Sequence, residues 1–230
     1  MFPSPFEQLL TLSLDLSGGH GDDASQVHQL LHSIHKLTSL SLRVPTCDLD
    51  ACRIQGLGYD YHFPNLTSFS LHAWLDARSG LADFLLRHPS ITTLDLDIDS
   101  YDKRSIRVAA SGLPHLRALA VGHTSQSHHL LSALLSSTAS RQITHISLDA
   151  LYQKTLPILA SAGPYLHCLE LSTYHVDEWR EDPKKLPLRE LLPSLPELVE
   201  FALDCPTGNT SCHPAPIDVN DLVCQPFRLL

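Results

Sequence analysis

Eight short stretches of the chain share one spelling: an apolar residue, two further positions, an apolar residue, one position, and a third apolar residue. Ile91-Thr-Thr-Leu94-Asp-Leu96 is the clearest copy and runs on into Asp97-Ile98. With the central apolar residue as marker, the series is Leu12, Leu40, Phe69, Leu94, Leu119, Ile146, Leu169 and Phe201. Each has an apolar residue three before it (Leu9, Leu37, Leu66, Ile91, Leu116, Ile143, Leu166, Leu198) and another two after it (Leu14, Leu42, Leu71, Leu96, Val121, Leu148, Leu171, Leu203). The interval between markers runs from 23 residues (Ile146 to Leu169) to 32 (Leu169 to Phe201), a spacing that points to a repeat architecture. Side chains on a strand alternate with period two, so the marker and the residue two beyond it share one face and the polar residues between them face the other way. One such unit cannot bury its apolar face alone. Neighbouring units are therefore expected to stack into a parallel sheet backed by returning helices.

The segments between the triplets carry weaker patterns. Ser25 to Leu37 places Val27, Leu30, Leu31 and Ile34 on one helical face, with His28, His32 and His35 on the opposite flank. Two imidazoles one turn apart can share a metal ion, but a solvated outer face is the preferred reading. Pro45 to Phe63 has little helical periodicity and is expected to be irregular. Gly80 to His88, Ser105 to Gly112, His128 to Ala139 and Tyr152 to Ala162 read as helical returns, the last shortened or kinked by Pro157. The longest interval holds the charged run Tyr174-His-Val-Asp-Glu-Trp179-Arg-Glu-Asp-Pro-Lys-Lys, expected as an inserted loop on the binding side.

This L-x-x-L-x-L spelling resembles the leucine-rich repeats of the ribonuclease-inhibitor type over residues 6 to about 205. The resemblance implies an α/β fold: a horseshoe-shaped solenoid of about eight repeats, with a parallel sheet on the concave face and short helices on the convex face. Residues 1–230 would form one unit, with 206–230 as an irregular cap or tail. The family often has Asn or Cys three residues after the last apolar position. Here Ser17, Pro45, Trp74, Asp99, Thr124, Leu151, Tyr174 and Pro206 stand there, so no asparagine ladder is available and the loops leaving the strands are expected to be irregular. The first triplet starts at Leu9 with little before it, which suggests a truncated start or a surface covered by something else.

Composition narrows the function. A formal charge of -9 argues against a general binder of nucleic acid or anionic membranes and favours a partner with a basic surface. The N-terminal Met-Phe-Pro-Ser-Pro-Phe-Glu does not read as a signal peptide, and no apolar run is long enough to span a bilayer. Cys47, Cys52, Cys168, Cys205, Cys212 and Cys224 show no paired framework. Reduced thiols and an intracellular location, cytoplasmic or nuclear, are the expectation.

Signatures of catalysis are absent: there is no G-x-S-x-G, H-E-x-x-H, G-x-x-x-x-G-K-[ST] or G-x-G-x-x-G. Cys205, Cys212, His213 and Cys224 have zinc-binding chemistry without the short C-x-x-C pairs of common sites, so neither a metal nor a cofactor is expected. The best functional signal lies in the polar columns of the expected sheet. One holds Ser13, Ser41, Ser70, Asp95, Ala120, Ser147, Glu170 and Ala202; the next holds Asp15, Arg43, His72, Asp97, Gly122, Asp149, Ser172 and Asp204. The two columns hold small residues and six carboxylates against one arginine, which predicts an acidic trough with a low floor. Asp95, Asp97 and Asp99 would point the same way from one strand, about 6 to 7 Å apart, and their repulsion favours a cation or basic ligand. Trp74, Tyr101, Tyr174 and Trp179 are expected at the strand exits, where large aromatics serve as interface anchors.

The expected function is non-catalytic protein recognition through Asp95, Asp97, Asp149, Glu170, Asp204, Trp74, Tyr101, Tyr174 and Trp179. The irregular repeats and the Leu113-Pro, His88-Pro and Leu195-Pro turns resemble the repeat region of fungal F-box-type proteins. That resemblance implies substrate selection for a ubiquitin ligase, although no F-box is visible. The alternative is a stand-alone scaffold or inhibitor holding a basic protein in the trough. A metal-dependent or hydrolytic enzyme ranks third.

Overall fold

In the computed structural model the chain is an α/β protein built on a single sheet of eight parallel strands with few helices. The structure describes residue 6 and residues 8–16, 29–43, 61–75, 81–100, 112–122, 131–132, 134–135, 142–149, 151, 155–172 and 191–204. The strands are β1 (Thr11–Asp15), β2 (Ser39–Arg43), β3 (Ser68–Leu75), β4 (Thr93–Ser100), β5 (Ala118–Val121), β6 (His145–Leu148), β7 (Cys168–Ser172) and β8 (Glu200–Asp204). Their order across the sheet follows the chain from β1 to β8, and the sheet is open, with β1 and β8 at its edges.

The register follows the triplets. Leu12, Leu40, Phe69, Leu94, Leu119, Ile146, Leu169 and Phe201 stand side by side across all seven strand pairs. This row is buried from Leu40 onward, as is the row three residues earlier from Leu37 onward. A slip of one residue in any pair would turn a strand's leucines to the polar face, which is why the pattern specifies the pairing so tightly.

A second device ties the repeats together where the strands begin. The carbonyl of Thr38 accepts the N–H groups of both Thr67 (2.9 Å) and Ser68 (3.0 Å). Leu10, Thr67, Thr92, Arg117, Thr144 and His167 each do the same for the next repeat. Hydroxyls reinforce the row: Thr38 Oγ1 donates to Leu10, Thr67 Oγ1 to Thr38, and Thr92 Oγ1 to Thr67, at 3.0 to 3.1 Å. The asparagine ladder missing after the strands therefore has a threonine counterpart before them. The first of the two polar positions in L-x-x-L is where a side chain can reach the neighbouring carbonyl.

Five of the triplets are introduced by a tight turn that carries a proline. In Phe63-Pro64-Asn65-Leu66 the N–H of Leu66 donates to the Phe63 carbonyl (3.0 Å), and the same four-residue bond closes at His88–Ile91, Leu113–Leu116, Gly163–Leu166 and Leu195–Leu198. Proline occupies the second position in all five. Its fixed φ suits that place, and its missing N–H costs nothing there. The residue before it is large and buried except at Gly163. There, a Cβ would overlap the backbone carbonyl of Ser194, so close packing of two neighbouring returns requires glycine.

The returns pack on the apolar face. Helix α1 (Leu81–Arg87) buries Leu81, Phe84 and Leu85, and the Phe84 ring lies 4.7 Å from that of Phe69 on β3. Helix α2 (Leu156–Ala162) begins with Pro157 in its first turn, where proline is tolerated, so it is short without a kink. Helical residues at 29–33 bury Leu31, with Ile34 buried just beyond them, and Leu131, Leu134 and Leu135 are buried and helical. The expected helix at 105–112, the irregular segment 45–60 and the charged insertion at 174–185 lie outside the described residues, apart from Gly112.

His88 holds one of these returns in place. Its Nδ1–H donates to the Phe84 carbonyl (2.7 Å), and its Nε2 accepts the N–H of Phe63 (2.9 Å), which fixes a neutral tautomer. Its ring is stacked on Phe63 and tilted against Phe84. Burial, opposed by the bond to Phe84 and assisted by nearby His62 and Arg87, lowers its pKa to about 4. One imidazole thus satisfies two backbone groups that would otherwise be buried without partners.

Candidate interaction site on the polar face of the sheet

The face opposite the helices is built from residues one before, one after and three after each marker. At β3 and β4 these positions bring four polar side chains together. Register places Ser70 beside Asp95 and His72 beside Asp97. Ser70 Oγ donates to Asp95 Oδ2 (2.8 Å), and His72 Nε2 lies 3.2 Å from the same oxygen. His72 Nδ1 lies 3.4 Å from Asp97 Oδ2. The imidazole is thus bracketed by two carboxylates, one at each ring nitrogen. A protonated ring can donate to both, whereas a neutral ring can donate to only one.

These carboxylates are open to solvent: the side chains of Asp95 and Asp97 are 36% and 44% exposed. Asp95 and Asp97 of the acidic row expected on β4 lie on this face, and His72, which the sequence columns contained without this role, stands within hydrogen-bonding reach of both. The signal lay in the register, because His72 and Asp97 hold equivalent positions in adjacent repeats.

Beside this group the floor drops. β5 offers Ala118 and Ala120, followed by Gly122. Gly122 is buried beneath Asp97, and a Cβ there would overlap the Asp97 side chain. Glycine at this position gives Asp97 room to lie across to the next strand. Farther along, Glu170 and Glu200 are exposed around Cys168. Cys168 is buried, and burial together with the two glutamates raises its pKa to about 11, so it stays a protonated thiol and a poor nucleophile at neutral pH.

The other expected site residues are distributed as follows. Asp149 is half-buried in the bend after β6, its N–H donating to the Val121 carbonyl (3.3 Å). Asp204 ends β8 in register with Ser172, and its side chain lies outside the described residues. Trp74 belongs to strand β3, paired with Asp99, where the sequence suggested a strand exit; β3 and β4 each run for eight residues and carry the pairing further than the triplet alone. The side chains of Trp74 and Asp99, and all of Tyr101, Tyr174 and Trp179, lie outside the described residues. The structure therefore brings Asp95 and Asp97 together with His72 and Ser70, and it separates Glu170 from them by two strands, with Ala120 on β5 and Ser147 on β6 between.

The grouping lacks the link that defines a serine nucleophile, since the Ser70 hydroxyl points its proton at a carboxylate and not at an imidazole. Among the described residues no group of three or more His, Cys, Asp or Glu side chains is placed to hold a metal ion. His32 and His35 are exposed, His28 lies outside the described residues, and the His32 ring packs against Tyr61 at 4.9 Å. Among the described residues no helix is long and apolar enough to cross a membrane.

No protein-family model matches the chain. No curated protein matches it either.

Proposed function

We propose that the chain is a leucine-rich-repeat solenoid whose polar sheet face recognises a protein partner through a basic segment, without catalysis. The observation that carries this reading is the pair of open carboxylates, Asp95 and Asp97, held side by side next to the small residues Ala120 and Gly122. A lysine or arginine side chain laid over Ala120 would meet Asp95 and Asp97 on one side, with Ser147 and then Glu170 on the strands beyond. Parallel pairing in one unbroken register gives the backbone that presents them a rigid spacing. The horseshoe curvature, with the sheet on the concave side, belongs to this proposal.

The test is titration of the chain with a lysine- and arginine-rich peptide across a salt series. Salt-sensitive binding that is lost in the Asp95→Lys, Asp97→Lys double variant, with thermal stability retained, is the expected result. Equal affinity for both proteins would remove the polar face from consideration. The narrower reading, substrate selection for an F-box-type ubiquitin ligase, rests on the resemblance of the repeats. It stands or falls on whether longer versions of the chain bind the ligase adaptor.

A further inference from the structure

Histidine is the side chain whose charge ordinarily changes between about pH 5 and 8, and on the polar face one stands between the two carboxylates proposed to meet the partner. His72 turns Nε2 toward Asp95 Oδ2 (3.2 Å) and Nδ1 toward Asp97 Oδ2 (3.4 Å), and its side chain is 39% exposed. Its backbone lies within the sheet, in register with Arg43 on β2 and Asp97 on β4. Pairing on both sides fixes where the ring stands, while its exposure lets it exchange a proton with water.

The charged neighbours of the ring come from three strands. On β4 they are Asp95 and Asp97; Asp99, one step further along, is paired with Trp74, and its side chain lies outside the described residues. On β2 the neighbour is Arg43, with Asp15 in register beyond it on β1. Those two carry opposite formal charges, so the balance that changes with pH is the one at Asp95 and Asp97. Beside a neutral ring the two carboxylates present two negative charges to a partner. Beside a protonated ring the group presents one, and both ring N–H groups point at carboxylate oxygens that a basic side chain would use. A lysine or arginine must then displace the imidazolium or lie next to a like charge.

We infer that His72 is an internal competitor for the basic partner: protonated, it occupies Asp95 and Asp97 together; neutral, it can donate to only one of them and carries no charge to repel a lysine or arginine. This rests on the recognition reading of the polar face and adds the regulation of that face. The geometry fixes the sign. Acidification puts a cation of the chain where the partner's would sit, so binding weakens as pH falls through the histidine range and recovers as it rises. His88, on the other side of the sheet, stays neutral over most of that range, because burial lowers its pKa to about 4.

The test is titration with a lysine- and arginine-rich peptide, free of histidine and blocked at both ends, at about pH 8 and about pH 5.5 in low salt. Wild-type affinity should fall by about two- to fivefold on acidification, the scale of one exposed ion pair. His72→Gln, which keeps an amide donor but takes up no proton, should lose most of that response. Other exposed histidines, His145 among them, are present in both proteins and cancel from the comparison. His72→Lys, charged at both pH values, should bind at the higher pH as weakly as the wild type does at the lower, and it decides the matter if His72→Gln does not fold. An equal pH response in wild type and His72→Gln overturns the inference and leaves recognition by the polar face standing. Full-strength binding by His72→Lys at the higher pH does the same. No binding by the wild type at the higher pH removes the recognition reading itself, and the inference with it.

Discussion

His72 and His88 belong to neighbouring repeats and lie on opposite sides of the same sheet, and almost everything about them differs. His88 is 1% exposed, packed among Phe63 and Phe84, with both ring nitrogens spent on backbone groups. His72 lies on the polar face with each ring nitrogen turned toward a carboxylate that water also reaches. The first histidine holds a turn to a helix and has no capacity left for a ligand. The second takes part in an open polar cluster whose ionisable members are more than a third exposed. The lesson is that residue type alone does not separate a buried structural histidine from one in an open cluster; what separates them is whether their hydrogen-bonding partners belong to the backbone or to exposed side chains.

The contrast is most easily broken from the apolar side. Leu94→Ala, at the centre of the buried row, should cost about 2 to 5 kcal/mol of unfolding free energy in denaturant titration, as a cavity in a close-packed core. A loss under about 1 kcal/mol would mean that the core around β4 is loosely packed.

The next effect is a pH dependence. His88 stays neutral in the folded chain down to about pH 4, while the unfolded chain protonates it near its ordinary value of 6.5. As pH falls through that window the unfolded state binds the proton first. The stabilisation is therefore complete above pH 6.5 and declines toward pH 4, by about 3 kcal/mol at most from this group. His88→Leu should flatten that part of the stability profile. It should also lower stability at neutral pH, because Phe63 N–H and the Phe84 carbonyl lose their partner. An unchanged slope would assign the acid sensitivity to other groups.

Effects on the polar face should be smaller in stability and larger in recognition. Gly122→Ala forces Asp97 away from its place over β5 and should cost about 1 kcal/mol. It should also shift the His72 ring resonances in NMR spectra as the contact to Asp97 is lost. Unmoved resonances would show that Asp97 does not hold the imidazole in solution. Smallest of all, Asp97→Asn should change stability by under about 0.5 kcal/mol, as expected for an exposed side chain. A large loss there would make the cluster structural and weaken the case for recognition.

Much of this was readable before any coordinates. The marker row from Leu12 to Phe201, the strand faces and the placing of Asp95 and Asp97 on the polar side all follow from period two and the repeat interval, and the register agrees at every pair. The threonine ladder was present in the spelling but was not read from it. Thr38, Thr67, Thr92 and Thr144 recur at one position, and only the neighbouring carbonyls show what the hydroxyls are for. The role of Pro64, Pro89, Pro114, Pro164 and Pro196 as second residues of one repeated turn was half legible, since only some of these pairs stood out as turns.

By itself, then, the sequence determined the sheet, its register and which residues face the polar side, because a strand offers only two faces and the apolar ones must be buried. Tertiary structure decided what those residues meet. That His72 lies between two carboxylates, that Asp97 leans over a glycine and that His88 is buried with its ring nitrogens occupied depend on side chains from different repeats meeting across space. The distances and depths of such contacts are set by packing, which no periodicity along the chain encodes.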